Sequence, residues 1–151
     1  MPYGEGNPQL EDGFSRIANE MLDALALTSL SDHESRCIHF LWRKTYGWND
    51  AKTGLAKKED VISYSQWGIG TNIDKRNILR TLSGLVGRHI FTKQTVSRPG
   101  KNALIIWGFQ KNYGKWNGYH PVYQLQLEVE QPLPSHEGGA KQPLPSYEGA
   151  G

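Results

Sequence analysis

Apolar residues recur at helical spacing in three stretches of the chain and alternate with polar ones near the middle of its second half. In FSRIANEMLDALALTSL, Ile17, Met21, Leu22 and Leu25 share one face, which predicts a first helix that Ser15 can cap. LSDHESRCIHFLWRKTYGW carries Cys37, Ile38, Leu41 and Trp42 on one face and Arg36, Arg43 and Lys44 mostly off it. Ser31 followed three residues on by Glu34 is a capping-box spacing, in which each side chain satisfies the other residue's backbone N–H. Gly47 is placed to end this second helix, with Trp48 beyond it read as a plug in the core. The polar loop NDAKTGLAKKED follows, then a short extended stretch, DVISYS. SYSQWGIGTN reads as a short helix with Ser63 and Gln66 in capping-box spacing, weakened by Gly68 and Gly70. The clearest helix is IDKRNILRTLSGLVGRHI: Asp74 caps it, Ile78, Leu82, Leu85 and Val86 face inward, and Gly87 is placed to stop it. IFTKQTV and NALIIWGF flank SRPGK, a Pro-Gly turn between cations, which predicts a β-hairpin with a basic tip.

Helix, helix, short strand, short helix, long helix, hairpin is the order of a winged helix-turn-helix domain. The expected fold class is therefore mainly α with a small β-wing. Residues 1–13 read as a flexible N-terminal arm, 14–117 as the domain, and 118–151 as an acidic, Pro/Gly-rich tail. Within that tail HPVYQLQLEVE alternates like an edge strand. QPLPSHEG then recurs as QPLPSYEG at an offset of 11 residues. Two copies rich in Pro and Gly cannot bury a core, so disorder is expected there.

Composition sharpens this picture. With 37% apolar residues in 151, the chain has enough for one core but not for packing from end to end. Net charge is +2, yet residues 14–117 hold 16 of the 17 Lys and Arg and 8 of the 15 Asp and Glu, leaving +8 between two flanks of −3. A basic centre between acidic ends fits a polyanion binder. No apolar run approaches the roughly 20 residues of a membrane span, and the N-terminus lacks the apolar stretch of a secretory signal. The lone Cys37 can form neither an internal disulfide nor a thiolate metal cage and reads as a core residue of a cytoplasmic protein.

The long helix supplies the candidate chemistry. A helix fits the major groove of B-DNA; Arg and Lys bond guanine O6 and N7, and Asn bonds adenine N6 and N7. Lys75, Arg76, Asn77 and Arg80 offer such groups within two turns, and Thr81 is assigned to the same DNA-binding surface. Ser65 and Gln66 at the start of the preceding helix would fix the phosphate register, and Arg98 and Lys101 at the hairpin tip would hold backbone or minor groove. Arg43 and Lys44 are assigned to DNA phosphates, with a pairing of Arg43 to Asp50 or Asp60 as the alternative. Enzymatic chemistry finds no support. Histidines 33, 39, 89, 120 and 136 lack metal-ligand spacing, His39 reads as core or boundary, and WGIGTN lacks the glycine pattern of a nucleotide loop. No catalytic residue, metal or cofactor is expected. Aromatic residues can stack on single-stranded bases, but Trp42 and Trp107 sit at inward positions and burial is the expectation for them.

The run from QLEDGFSRIANEMLDAL through RKTYGWN to KKEDVISYSQ resembles the N-terminal domain of the phage replication protein O family, and DKRNILRTLSGL looks like its recognition helix. The resemblance covers about residues 10–117 and departs at WGIGTNI, where the family has a Leu-Ala-rich helix. It implies a non-enzymatic winged-helix domain that binds repeated double-stranded sites in a phage or prophage replication origin. The family's DNA-facing positions fall on Lys75, Arg76, Asn77 and Arg80. It also implies a replicative helicase or its loader as a partner of a C-terminal part, where this chain has only the acidic repeat. A homodimer stays open. The same fold also admits a transcriptional regulator or a protein-interaction module.

Overall fold

The computed structural model describes residues 6–119 and 121, with four α-helices and a three-stranded antiparallel sheet among them. A 3-10 turn at Leu10–Asp12 precedes α1 (Asn19–Ala26). Ser15 does not cap α1. The helix starts four residues later, at an Ala18 cap position whose side chain has no oxygen to offer. Only Met21 and Ala24 are buried along it, and Leu22, expected inward, is exposed. A helix this short turns one narrow i, i+3 stripe to the core. The stripe is prolonged by buried Thr28, whose hydroxyl donates to the Ala24 carbonyl at 2.8 Å.

α2 (Asp32–Thr45) begins with the expected reciprocal cap: Glu34 N–H donates to Ser31 Oγ at 3.1 Å and Ser31 N–H to Glu34 Oε1 at 2.9 Å. Cys37, Ile38, Leu41 and Trp42 are buried as the periodicity requires. Burial pushes the Cys37 thiol up to about 12, so it stays a neutral core side chain. Gly47 follows the helix for a reason the sequence does not display. Its backbone is not left-handed; a Cβ there would lie 2.5 Å from the Arg43 carbonyl.

Two readings on this helix are corrected. Trp48 does not plug the core. It is 55% exposed, because Trp42 and Tyr46 already fill that end of the helix and Trp42 packs edge-on against Phe109 at 5.2 Å. His39 is neither core nor boundary; it is exposed, its Nδ1 lying 2.7 Å from the Ser35 carbonyl.

After β1 (Glu59–Val61), α3 (Tyr64–Thr71) opens with a second reciprocal cap, between Ser63 and Gln66. A Cβ at Gly70 would sit 2.0 Å from the Phe40 ring, so this glycine lets α3 lie against α2. Asn72, at φ 58°, turns the chain left-handed, buried Ile73 anchors the turn, and three residues separate the end of α3 from the start of α4 (Lys75–Gly87). α4 buries Ile78, Leu82 and Leu85. The helix ends at Gly87 as expected, but the left-handed residue is His89, at φ 60°, which turns the chain into β2 (Phe91–Arg98). Pro99 and Gly100, the latter at φ 67°, join β2 to β3 (Lys101–Phe109), and the sheet order is β1-β3-β2.

Aromatic rings meet within the core alongside its aliphatic side chains. Trp67 contacts Phe40, Phe91 and Trp107, with ring centroids 5.2, 5.9 and 5.6 Å away, while Phe109 meets Trp116 at 5.4 Å. Arg88, just past α4, joins distant segments. It forks onto both Glu34 carboxylate oxygens at 2.8 Å and donates to the Ser29 and Asn117 carbonyls. Tyr119 bridges to Thr28. The alternating run after residue 119 and the repeated segment lie outside the described residues, Pro121 apart.

Candidate nucleic-acid interface

α4 shows its outer face through Lys75, Arg76, Leu79, Arg80 and Ser83, all exposed, with Asn77 and Thr81 half-buried at its flanks. The periodicity that sends Ile78, Leu82 and Leu85 inward leaves these positions outside. Asp74 caps the helix and holds Asn77 twice, through its backbone N–H at 3.3 Å and its side-chain Nδ2 at 2.6 Å. These bonds, the Asn77 side chain first, keep the Asp74 carboxyl below its ordinary range. Asn77 is thus oriented by the cap, with one amide hydrogen and its carbonyl oxygen not used by these bonds.

The charge on this helix opposes its own stability. Its first turn has no acidic residue, and Lys75 and Arg76 stand at the positive end of the helix dipole. Each such cation costs about 0.3–1 kcal/mol at an exposed site. Arg76 and Arg80, four residues apart, repel by a few tenths of a kcal/mol. The Asp74 carboxylate at the N-cap offsets part of this cost, and a further anion against the outer face would relieve the rest.

The sheet supplies the second part of the surface. Lys93 on β2 is paired in register with Trp107 and sets its ammonium 5.6 Å from that ring. Lys93, Tyr64, Leu79, Ser83, Val86 and Trp107 are among the residues lining a cleft of about 290 Å³ where α3, α4 and the hairpin meet. At the hairpin tip Lys101 is exposed, while Arg98 bends back so that its Nε and Nη2 donate to the Asn102 carbonyl at 2.9 and 2.6 Å. This fixes the direction of its guanidinium.

Ser65 and Gln66 are exposed at the start of α3, and the Gln66 side-chain oxygen is taken up by the Ser63 N–H. Arg43 and Lys44 sit in the last turn of α2. The Arg43 guanidinium lies over the Trp48 ring at 5.3 Å and the Lys44 ammonium over Phe40 at 5.7 Å. Asp60, one of the acids considered for Arg43, is bonded to Lys57 at 2.9 Å.

Sequence reasoning passed over Leu79, which is 41% exposed on the outer face. The signal was present: Leu79 follows Arg76 by three residues and precedes Ser83 by four, so one helical stripe carries all three. An apolar group there can meet a thymine methyl. Among the described residues no helix is long and apolar enough to cross a membrane.

The family described as Bacteriophage replication protein O matches residues 7–116. The chain is similar to the DNA replication protein gp18 of Salmonella phage P22, 29% identical over 125 residues, covering 80% of this chain and 40% of that protein. It is similar also to Replication protein O of Escherichia phage lambda, 29% identical over 148 residues, covering 92% of this chain and 41% of that protein. The chain thus spans about two fifths of the length of these relatives. No solved structure matches it.

Proposed function

The chain belongs to the bacteriophage replication protein O family, and from that premise we propose that it binds repeated double-stranded sites of a phage replication origin through a winged helix-turn-helix. α3 and α4 are the helix pair, α4 enters the major groove, and the β2–β3 hairpin is the wing. The observation that carries this reading is the outer face of α4, where Lys75, Arg76 and Arg80 are exposed at a cost to the helix itself. In this reading Arg80, Arg76, Lys75 and Asn77 read bases, with Thr81 beside them. Ser65 and Gln66 hold a phosphate at the start of α3, and Arg98 and Lys101 hold the backbone or minor groove. Arg43 and Lys44 are left out of the duplex surface, since both already lie over aromatic rings. The role is initiation of phage DNA replication in the host cytoplasm, with no catalysis. A contact with the replicative helicase or its loader stays in the proposal without a residue assignment.

Selection of bound sequences from random duplex DNA tests the reading. It should return one motif, repeated within the phage's own replication region. Arg80→Ala should cost about 1–3 kcal/mol on that motif and little on random DNA. Lys101→Ala should weaken both alike and reduce the salt slope by about 1. A motif confined to promoters would replace initiation by transcriptional control. No salt-sensitive duplex binding at all would leave a protein-interaction module.

A further inference from the structure

Trp48 raises a question the duplex reading does not use. Four of the five tryptophans are 4% exposed or less, while Trp48 is 55% exposed. Its exposure is built rather than frayed. Trp48 N–H donates to the Thr45 carbonyl at 3.1 Å, and Lys57 N–H donates to the Trp48 carbonyl at 2.8 Å. The intervening loop is closed by an Asn49–Ala56 bridge and by Asp50 N–H donating to the Leu55 carbonyl at 2.7 Å. The ring is therefore presented on a backbone already ordered.

Phe14, 59% exposed, and Trp48 border one cleft of about 590 Å³, together with Arg16, Tyr46 and Leu55. A second cleft of about 200 Å³ continues it, sharing Arg16, Tyr46, Leu55 and Ala56 and adding Lys58 and Lys111. The combined lining has three cations, three aromatic rings and no carboxylate. The loop's own acid, Asp50, turns its Oδ1 to the Lys52 N–H at 2.7 Å. Cations also lie over both exposed rings, Arg16 at 5.9 Å from Phe14 and Arg43 at 5.3 Å from Trp48.

We propose that this groove, flanked by Phe14 and Trp48, binds single-stranded nucleic acid. Flat rings in a cationic groove are what unpaired bases and their phosphates require: each base has a π-face to stack, and the cations follow the backbone. A duplex has no use for these rings, because its bases are stacked on one another. A protein partner would also value an exposed Trp, but it would meet a groove that offers only positive charge. The proposal goes beyond the duplex reading and uses none of the α4 residues.

The test is titration of the full chain with a labelled oligo(dT) of on the order of a dozen nucleotides. Anisotropy reads binding, and intrinsic tryptophan fluorescence reads contact with Trp48, the other four being buried. Oligo(dT) should bind at low salt and quench the fluorescence. Trp48→Leu and Phe14→Leu should each weaken it about tenfold, within the range of one base–aromatic stack. Trp48→Phe should retain most of the affinity while losing the quench. Arg80→Ala should leave oligo(dT) binding unchanged. Both side chains are exposed, so far-UV circular dichroism should match the parent in each variant.

Three results overturn the proposal: oligo(dT) affinity unaffected by Trp48→Leu and Phe14→Leu, affinity lost in step with duplex binding in Arg80→Ala, or no binding by the parent chain. If the last came with Trp48→Leu shifting the sedimentation of a dimer to a monomer, the face would belong to a second copy. Loss of duplex binding alone would remove the origin reading and leave this one standing.

Discussion

Arg88 lies outside the proposed DNA surface, yet it holds together the ends of three segments. Its side chain and that of Glu34 are 23% and 16% exposed, so the pair is partly desolvated. Burial alone would raise the Glu34 carboxyl, but the Ser31 backbone and the Arg88 guanidinium hold it below its ordinary value. Arg88→Ala leaves that carboxylate without its partner and should cost about 3 kcal/mol, the lower end for breaking a buried pair. Thermal unfolding should show it as a drop of about 10 °C or more. A carboxylate with a lowered folded pKa adds stability that is complete above its unfolded value and lost as pH falls through the folded one. Stability should therefore decline below the ordinary carboxyl value of 4.5. Glu34→Gln, which can still cap α2, should flatten part of that acid limb in denaturant titrations. His89 gives a prediction of opposite sign. An L-residue at φ 60° carries left-handed strain, so His89→Gly should raise stability by up to about 1 kcal/mol.

Among elements, two helical glycines look alike in the sequence and differ in the structure. A Cβ at Gly84 would meet nothing within 4 Å, whereas one at Gly70 would enter the Phe40 ring. Gly84→Ala should stabilise α4 by about 0.8–1 kcal/mol. Gly70→Ala should destabilise by about 1–3 kcal/mol as α3 is pushed off α2. Chemical denaturation of the two variants checks both signs. The helices themselves were legible because their information is local: Ser31 with Glu34, Ser63 with Gln66, and Asp74 all cap as their spacing demands. α1 was misjudged because its cap position, Ala18, carries no signal, and a polar Ser15 nearby supplied a false one.

For the molecule as a whole, charge sets the expected behaviour with DNA. Arg98 and Lys101, the cations assigned to the backbone, would neutralise about two phosphates, so duplex affinity should fall with salt at a log–log slope of about −2. A fragment of residues 6–121 should keep the melting temperature and duplex affinity of the full chain if the acidic segment is a separate unit; calorimetry and gel shift check this. The sequence by itself determined the helices with marked caps, the hairpin around Pro99 and Gly100, the basic outer face of α4 and the family, because each is written in neighbouring residues or in a short local period. Tertiary structure alone decided where Trp48 points, why residue 47 is glycine, and that Arg88 pairs with Glu34 across 54 positions. Trp48 was displaced outward because Trp42 and Tyr46 had taken the space. Competition for a finite core volume is a property of the packed chain, and no local pattern in RKTYGWN carries it.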